Sequence, residues 1–161
     1  MIDTSQLETF ARKVEAAQKD LKPYIHELME KSGELFLDVV QAQIIAKGNV
    51  DTRKMFSSFQ KGGEGNIFEI QDGGFSVLVG SSVSYAPHVN FGHKQQPGRF
   101  IPGYWEGNHF RYSPGAKSGM VLKADKVKGS KFFSDSVEKM QEKFPEIVEK
   151  SAIQFFRRYF S

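Results

Sequence analysis

The sequence predicts an α+β fold: a small antiparallel sheet of three to four strands packed against a long N-terminal helix and a C-terminal helix, with a long inserted loop. Three observations carry this. Leu7, Phe10, Val14, Ala17 and Leu21 recur at steps of three and four, one face of a helix. Asp72-Gly73-Gly74 stands between two alternating apolar stretches, the mark of a hairpin. From Phe132 the helical period returns through Phe133, Val137, Met140, Phe144, Phe155 and Tyr159. Helices gathered on one side of an antiparallel sheet satisfy this order of elements.

The N-terminal stripe resumes as Ile25, Leu28, Ser32, Leu35, Val39 and Ala42 after an irregular step that contains Pro23. That proline either kinks one long helix or opens a second, because it removes a hydrogen bond and crowds the preceding turn. A continuous helix from Ser5 to Lys47 would run ~60 Å. So small a domain cannot cover it, so part of it should pack on another subunit. Gly48 supplies a C-cap. Asp51 or Thr52 caps a short helix through Phe59. Strands are expected at Ile67–Ile70, Phe75–Val79 and Met120–Ala124, and a short helical turn at Tyr85–Gly92 with Pro87 in its first turn. His93–Ser118 reads as loop, or as loop with a strand at His109–Tyr112. Pro145 kinks the last helix or divides it. The organisation is a single domain, 1–161: a helical arm at 1–48, a sheet with the 93–118 loop at 49–131, and a helical segment at 132–161.

Composition narrows the function classes. The 161 residues include no Cys, which removes disulfides, thiolate nucleophiles and Cys-ligated metals. No stretch reaches the roughly 18 consecutive apolar residues of a membrane span. The first residues lack the basic start and apolar run of a signal peptide, so synthesis in the cytoplasm is expected. Fifteen Phe against one Trp suggest packing or buried subunit contacts. The net charge of +3 is unevenly placed: Gly92–Lys131 holds 8 basic and 2 acidic residues. Such a segment is a solvated basic loop or a contact for DNA or an acidic partner.

Catalytic constellations are missing. His88 and His93 are five apart with no carboxylate between them, poor spacing for a metal site. Gly62-Gly63-Glu64-Gly65 and Gly115-Ala116-Lys117-Ser118-Gly119 lack full phosphate-loop spacing. Gly80-Ser81-Ser82 is a Ser-rich turn and no nucleophile elbow exists. The acidic residues fall on helix exteriors, as on a solvated face. No enzyme, metal or cofactor is expected. The mixture of Lys94, Arg99, Phe100, Tyr104, Trp105, Phe110, Arg111 and Tyr112 fits stacking on single-stranded nucleic acid, and fits better an interface to a protein partner.

One segment resembles a known family. Val79-Gly80-Ser81-Ser82-Val83-Ser84-Tyr85-Ala86-Pro87-His88-Val89-Asn90-Phe91-Gly92-His93 is similar to the "V-G-S-x-V-x-Y-A-P-Y-V-E-F-G-T" stretch of head–tail joining or tail-completion (neck) proteins of long-tailed bacteriophages. Asp51 to Phe59 resembles their "T-G-x-L-x-x-S-I" stretch, with Arg53 where Gly is usual. Asn90 stands where Glu is usual and His93 where Thr is usual. Gly98 to Trp105 and Gly119 to Leu122 look like a subgroup with a long inserted loop, and Gly129 to Phe133 like the entry to the last helix. The resemblance implies a non-catalytic virion component: a ring, sixfold, that completes the tail and joins it to the DNA-filled head. Its implied partners are further copies of itself, a portal-adaptor or head-completion protein, a tail terminator or tail tube protein, and the duplex genome in the lumen. Tyr85, Ala86, Pro87, Val89, Phe91 and Gly92 would be packing positions. Lys117, Lys123, Lys126, Lys128 and Lys131 would face DNA phosphates. The alternative is a sequence-independent nucleic-acid-binding module that uses the basic 117–131 stretch.

Overall fold

The computed structural model describes residues 4–49 and 53–161. Its elements are helix α1 (Thr4–Ala46), α2 (Lys54–Ser58), strands β1 (Asn66–Gln71) and β2 (Ser76–Ser81), α3 (Ala86–Phe91), β3 (Gly92–Lys94), β4 (Phe100–Glu106), β5 (His109–Tyr112), β6 (Gly119–Val121), β7 (Lys126–Lys128) and α4 (Phe132–Phe160). The fold is α+β, with its strands shared among three small antiparallel sheets: β1–β2, β3–β7 and β5–β4–β6. The chain divides into two compact units, residues 1–84 with 132–161, and residues 85–131.

In the first unit α1 and α4 run antiparallel. Phe10 meets Phe160 at 5.8 Å, Tyr24 stacks on Phe155 at 4.4 Å, and Phe36 meets Phe133 edge-on at 5.5 Å between ring centres. Tyr159 donates a hydrogen bond to Asp20 Oδ2 (2.6 Å), and Lys47 pairs with Asp135 (2.5 Å). These contacts explain why α1 is one helix through Pro23 and α4 one helix through Pro145. Each proline forfeits a backbone hydrogen bond. Packing between the helices on both sides of Pro23 offsets that loss. Gly48 ends α1 as expected: its own N–H bonds to the Ile45 carbonyl and that of Asn49 to the Ile44 carbonyl.

The core gathers Leu37, Val40 and Ile44 of α1, Met55, Ser58 and Phe59 of the α2 region, Val83, and Phe132 and Ser136 of α4, all buried. Met55, Ser58 and Phe59 are the positions at which the upstream motif asks for L, S and I, so that motif encodes burial. The Ser58 hydroxyl is 2.7 Å from that of Ser81, and Asn66 Nδ2 donates to the Ser58 carbonyl (3.0 Å). These bonds tie α2 to the hairpin. Arg53 takes the residue before α2 at φ 61°, in the left-handed region that favours glycine. The expected caps Asp51 and Thr52 lie outside the described residues.

The β1–β2 hairpin pairs Phe68 with Val79 and Ile70 with Val77. Directly opposed residues share a face, so these four form one face. Phe68 and Val77 close over Gly33 of α1.

In the second unit the strand expected at His109–Tyr112 is present as β5, and the expected Met120 strand as β6, but the loop reading of the rest of 93–118 is corrected by β4. His93–Ser118 contains β4 and β5, which pair antiparallel, and β6 then lies on the other edge of β4. Pro102 and Gly103 sit inside β4, residues that ordinarily argue against a strand. Gly103 is there because the Phe110 ring and the Arg111 carbonyl lie where its side chain would be. Strand β7, which the sequence reading lacked, pairs with β3 over three residues.

Candidate interaction surfaces

The helix α3 is placed by two backbone bonds in its own unit: Ser130 N–H to the Val89 carbonyl and Lys131 N–H to the Asn90 carbonyl, both 2.9 Å. Gly92 follows at φ 80°, and a Cβ there would run into the Val127 carbonyl. The Phe-Gly of the motif thus marks where the helix ends and β3 begins. Ala86 and Asn90, one turn apart, are the buried side chains of α3, and Val89 is half-buried. An uncharged amide suits this buried position better than the carboxylate of the resembling sequences. Pro87 sits exposed in the first turn. Tyr85 and Phe91 are not packed as the sequence reading had them: Phe91 is 72% exposed and Tyr85 is also exposed. On so short a helix the face one turn from Ala86 is Asn90, and Phe91 lies to the side of it.

The aromatic and basic residues expected at a partner interface do not form one surface. The β4–β5 register sets Trp105 opposite Phe110 and Tyr104 opposite Arg111. Trp105, Phe110 and Tyr112 therefore lie on one face of the sheet, and Phe100, Tyr104 and Arg111 on the other. Trp105 and Phe110 meet edge-on at 5.4 Å. The Phe100 ring covers Gly119. Arg111 Nε donates to Glu106 Oε2 (3.0 Å). Arg99 lies in the turn before β4, and Lys94 belongs to a different sheet.

The basic residues are also divided. Lys117 and Lys123 lie outside the strands of the second unit, and Lys131 directly precedes α4 at φ 59°. Lys126 and Lys128 stand on β7, where Lys94 opposes Lys126 and Gly92 opposes Lys128. These three lysines share one face of the β3–β7 ladder. His93 and Val127 take the other, and the His88 and His93 rings meet edge-on at 5.6 Å. Among the described residues no cluster of three His, Asp or Glu is arranged to hold a metal ion, and no helix is long and apolar enough to cross a membrane.

The first unit carries an apolar surface of which the α1 half follows the expected uncovered stripe and the α4 half was not recognised in the sequence. Leu7, Phe10 and Val14 of α1 and Ile153, Phe156 and Phe160 of α4 are all exposed. They are continuous, because Phe10 touches Phe160 and Phe160 touches Phe156. Ile153, Phe156 and Phe160 line an open groove with Ala152, and Glu149 and Arg157 stand at its rim. The signal was present: 153, 156 and 160 are spaced three and four apart, a second stripe beside the one containing Phe155. Next to it the Asp20 carboxylate, by accepting the Tyr159 hydrogen bond, holds that phenol above its ordinary range.

Residues 8–92, which run from within α1 through the hairpin to the end of α3, match the family model "Bacteriophage HK97-gp10, putative tail-component". The chain belongs to this family of phage tail components. It is 36% identical to the uncharacterized protein YqbI of Bacillus subtilis (strain 168), over 96% of this chain and 97% of that one. It is 33% identical to the phage-like element PBSX protein XkdI of the same organism, over 89% of this chain and 91% of that one. No solved structure matches. The family match ends at Gly92, so β4 to β7 and α4 lie beyond it.

Proposed function

We propose that this tail component is a non-catalytic neck protein: copies assemble into a ring that completes the tail and joins it to the DNA-filled head, with the genome passing through the lumen. The uncovered apolar face carries this reading. With large side chains of ~200 Å² each, the six exposed residues present roughly 500–600 Å² of apolar surface. That is at the top of what monomers leave exposed, and most of the ~800 Å² one partner contributes to a stable interface. The occupant that fits is a neighbouring copy, since the groove is bordered by both signs of charge, Glu149 and Arg157. A head-completion or portal-adaptor protein on one side and a tail terminator or tube protein on the other complete the joint.

Immunogold labelling of purified particles tests the placement. Gold at the head–tail junction supports it. Gold along the shaft or at the distal tip contradicts it.

A further inference from the structure

We propose that Lys94, Lys126 and Lys128 form a contact face for the phosphate backbone of duplex DNA. The duplex would be the genome if the neck reading holds, but the binding follows from this unit alone. Residues 85–131 hold 8 basic and 2 acidic side chains and form a compact unit by themselves, so the basic segment of the sequence is a physical module. Within it the β3–β7 register sets Lys94 opposite Lys126, with Lys128 two residues on and on the same face. Like charges placed directly opposite destabilise a ladder, and this ladder has only three residue pairs to hold it. Among the described residues no ion pair reaches any of the three, and all are exposed. A polyanion lying across the face relieves that repulsion.

The same arrangement argues for DNA over an acidic protein. Lysine is depleted in protein interfaces, where aromatic and apolar anchors occupy the centre. This face has none: the fourth position of its register is Gly92, which brings no side chain of its own. Lysines near 5 to ~7 Å apart meet several phosphates of a duplex, which carries a charge every ~1.7 Å of its axis. Nothing on the face reads bases, so binding is independent of sequence.

Fluorescence anisotropy of the full chain with a short labelled duplex, at about 50 and 200 mM salt, tests this. Three phosphate contacts predict at least a roughly 40-fold loss of affinity over that range, a slope near −3 on logarithmic axes. Changing Lys94, Lys126 and Lys128 together to Gln should remove about three units of slope. The single variant Lys94→Gln, which removes one phosphate contact and can only ease the cross-strand repulsion within the ladder, should remove about one. A control with Lys19, Lys139 and Lys143 changed to Gln removes the same charge and should keep the slope. Absence of binding at low salt, or an equal effect of the control, would overturn the proposal. So would displacement of the duplex by poly-glutamate at equal charge, which would assign the face to an acidic protein. Gold at the junction without DNA binding sinks this inference alone; DNA binding with gold elsewhere sinks the neck reading alone.

Discussion

Gly33 in α1 lies beneath the ring of Phe68 in β1: a Cβ on residue 33 would stand 2.8 Å from Phe68 Cε2 and 3.0 Å from Val77 Cγ2. Hairpin and helix meet at this point, and only a residue without a side chain allows the approach. Gly33→Leu should destabilise the protein by about 1–3 kcal/mol through overpacking. The expected result in urea is a lower midpoint at unchanged slope. An unaltered midpoint would mean the hairpin does not sit on the helix there.

Arg53 offers the opposite case. Its φ of 61° places a long side chain in a conformation that costs about 1 kcal/mol or more for residues other than glycine. Arg53→Gly should raise stability by roughly 0.5–1 kcal/mol, the native strain it removes exceeding the entropy it adds to the unfolded chain. A lower urea midpoint would show that the arginine side chain has a stabilising role instead.

The Tyr159–Asp20 hydrogen bond joins residues 139 positions apart and raises the Tyr159 pKa. The folded value exceeds the unfolded one, so the contribution is complete below the ordinary tyrosine pKa near ~10. It is lost as pH rises through the raised value. Asp20→Asn should bring the Tyr159 titration down toward the ordinary range. Tyrosinate absorbance, with Tyr159→Phe subtracted, reads this; an unchanged titration would contradict the contact.

Trp105, the sole tryptophan, reports on the second unit. Gly103→Val would drive a side chain into Phe110, whose Cζ stands 2.6 Å from the position of a Cβ. Unpairing β4 from β5 should abolish the near-ultraviolet circular dichroism that Trp105 draws from its edge-on contact with Phe110, while the far-ultraviolet helical signal, which comes mainly from α1 and α4, holds. Loss of both signals together would show that this sheet is required for the helices to fold.

The sequence makes α1, α4 and the hairpin legible, because each has its own local signal: a 3.6-residue period, or Asp-Gly-Gly between alternating residues. Gly48 is legible for the same reason. Of the sheet in the second unit β5 and β6 are legible, and the central strand β4 is hidden because Pro102 and Gly103 stand inside it, Gly103 for a packing reason that only the Phe110 ring and the Arg111 carbonyl reveal. The lysine face depends on a pairing between residues 32 apart, Lys94 and Lys126, which no spacing rule anticipates. Phe91 misleads for a different reason: an aromatic residue in a motif suggests burial, and here the small Ala86 and the polar Asn90 are the buried pair.

The most direct test of the central claim is removal of the gene from the phage or phage-like element that carries it, with electron microscopy of the lysate. The joining role predicts DNA-filled heads beside separate, full-length tails, and intact particles once the gene is supplied in trans. Normal, infectious particles without the gene would contradict it.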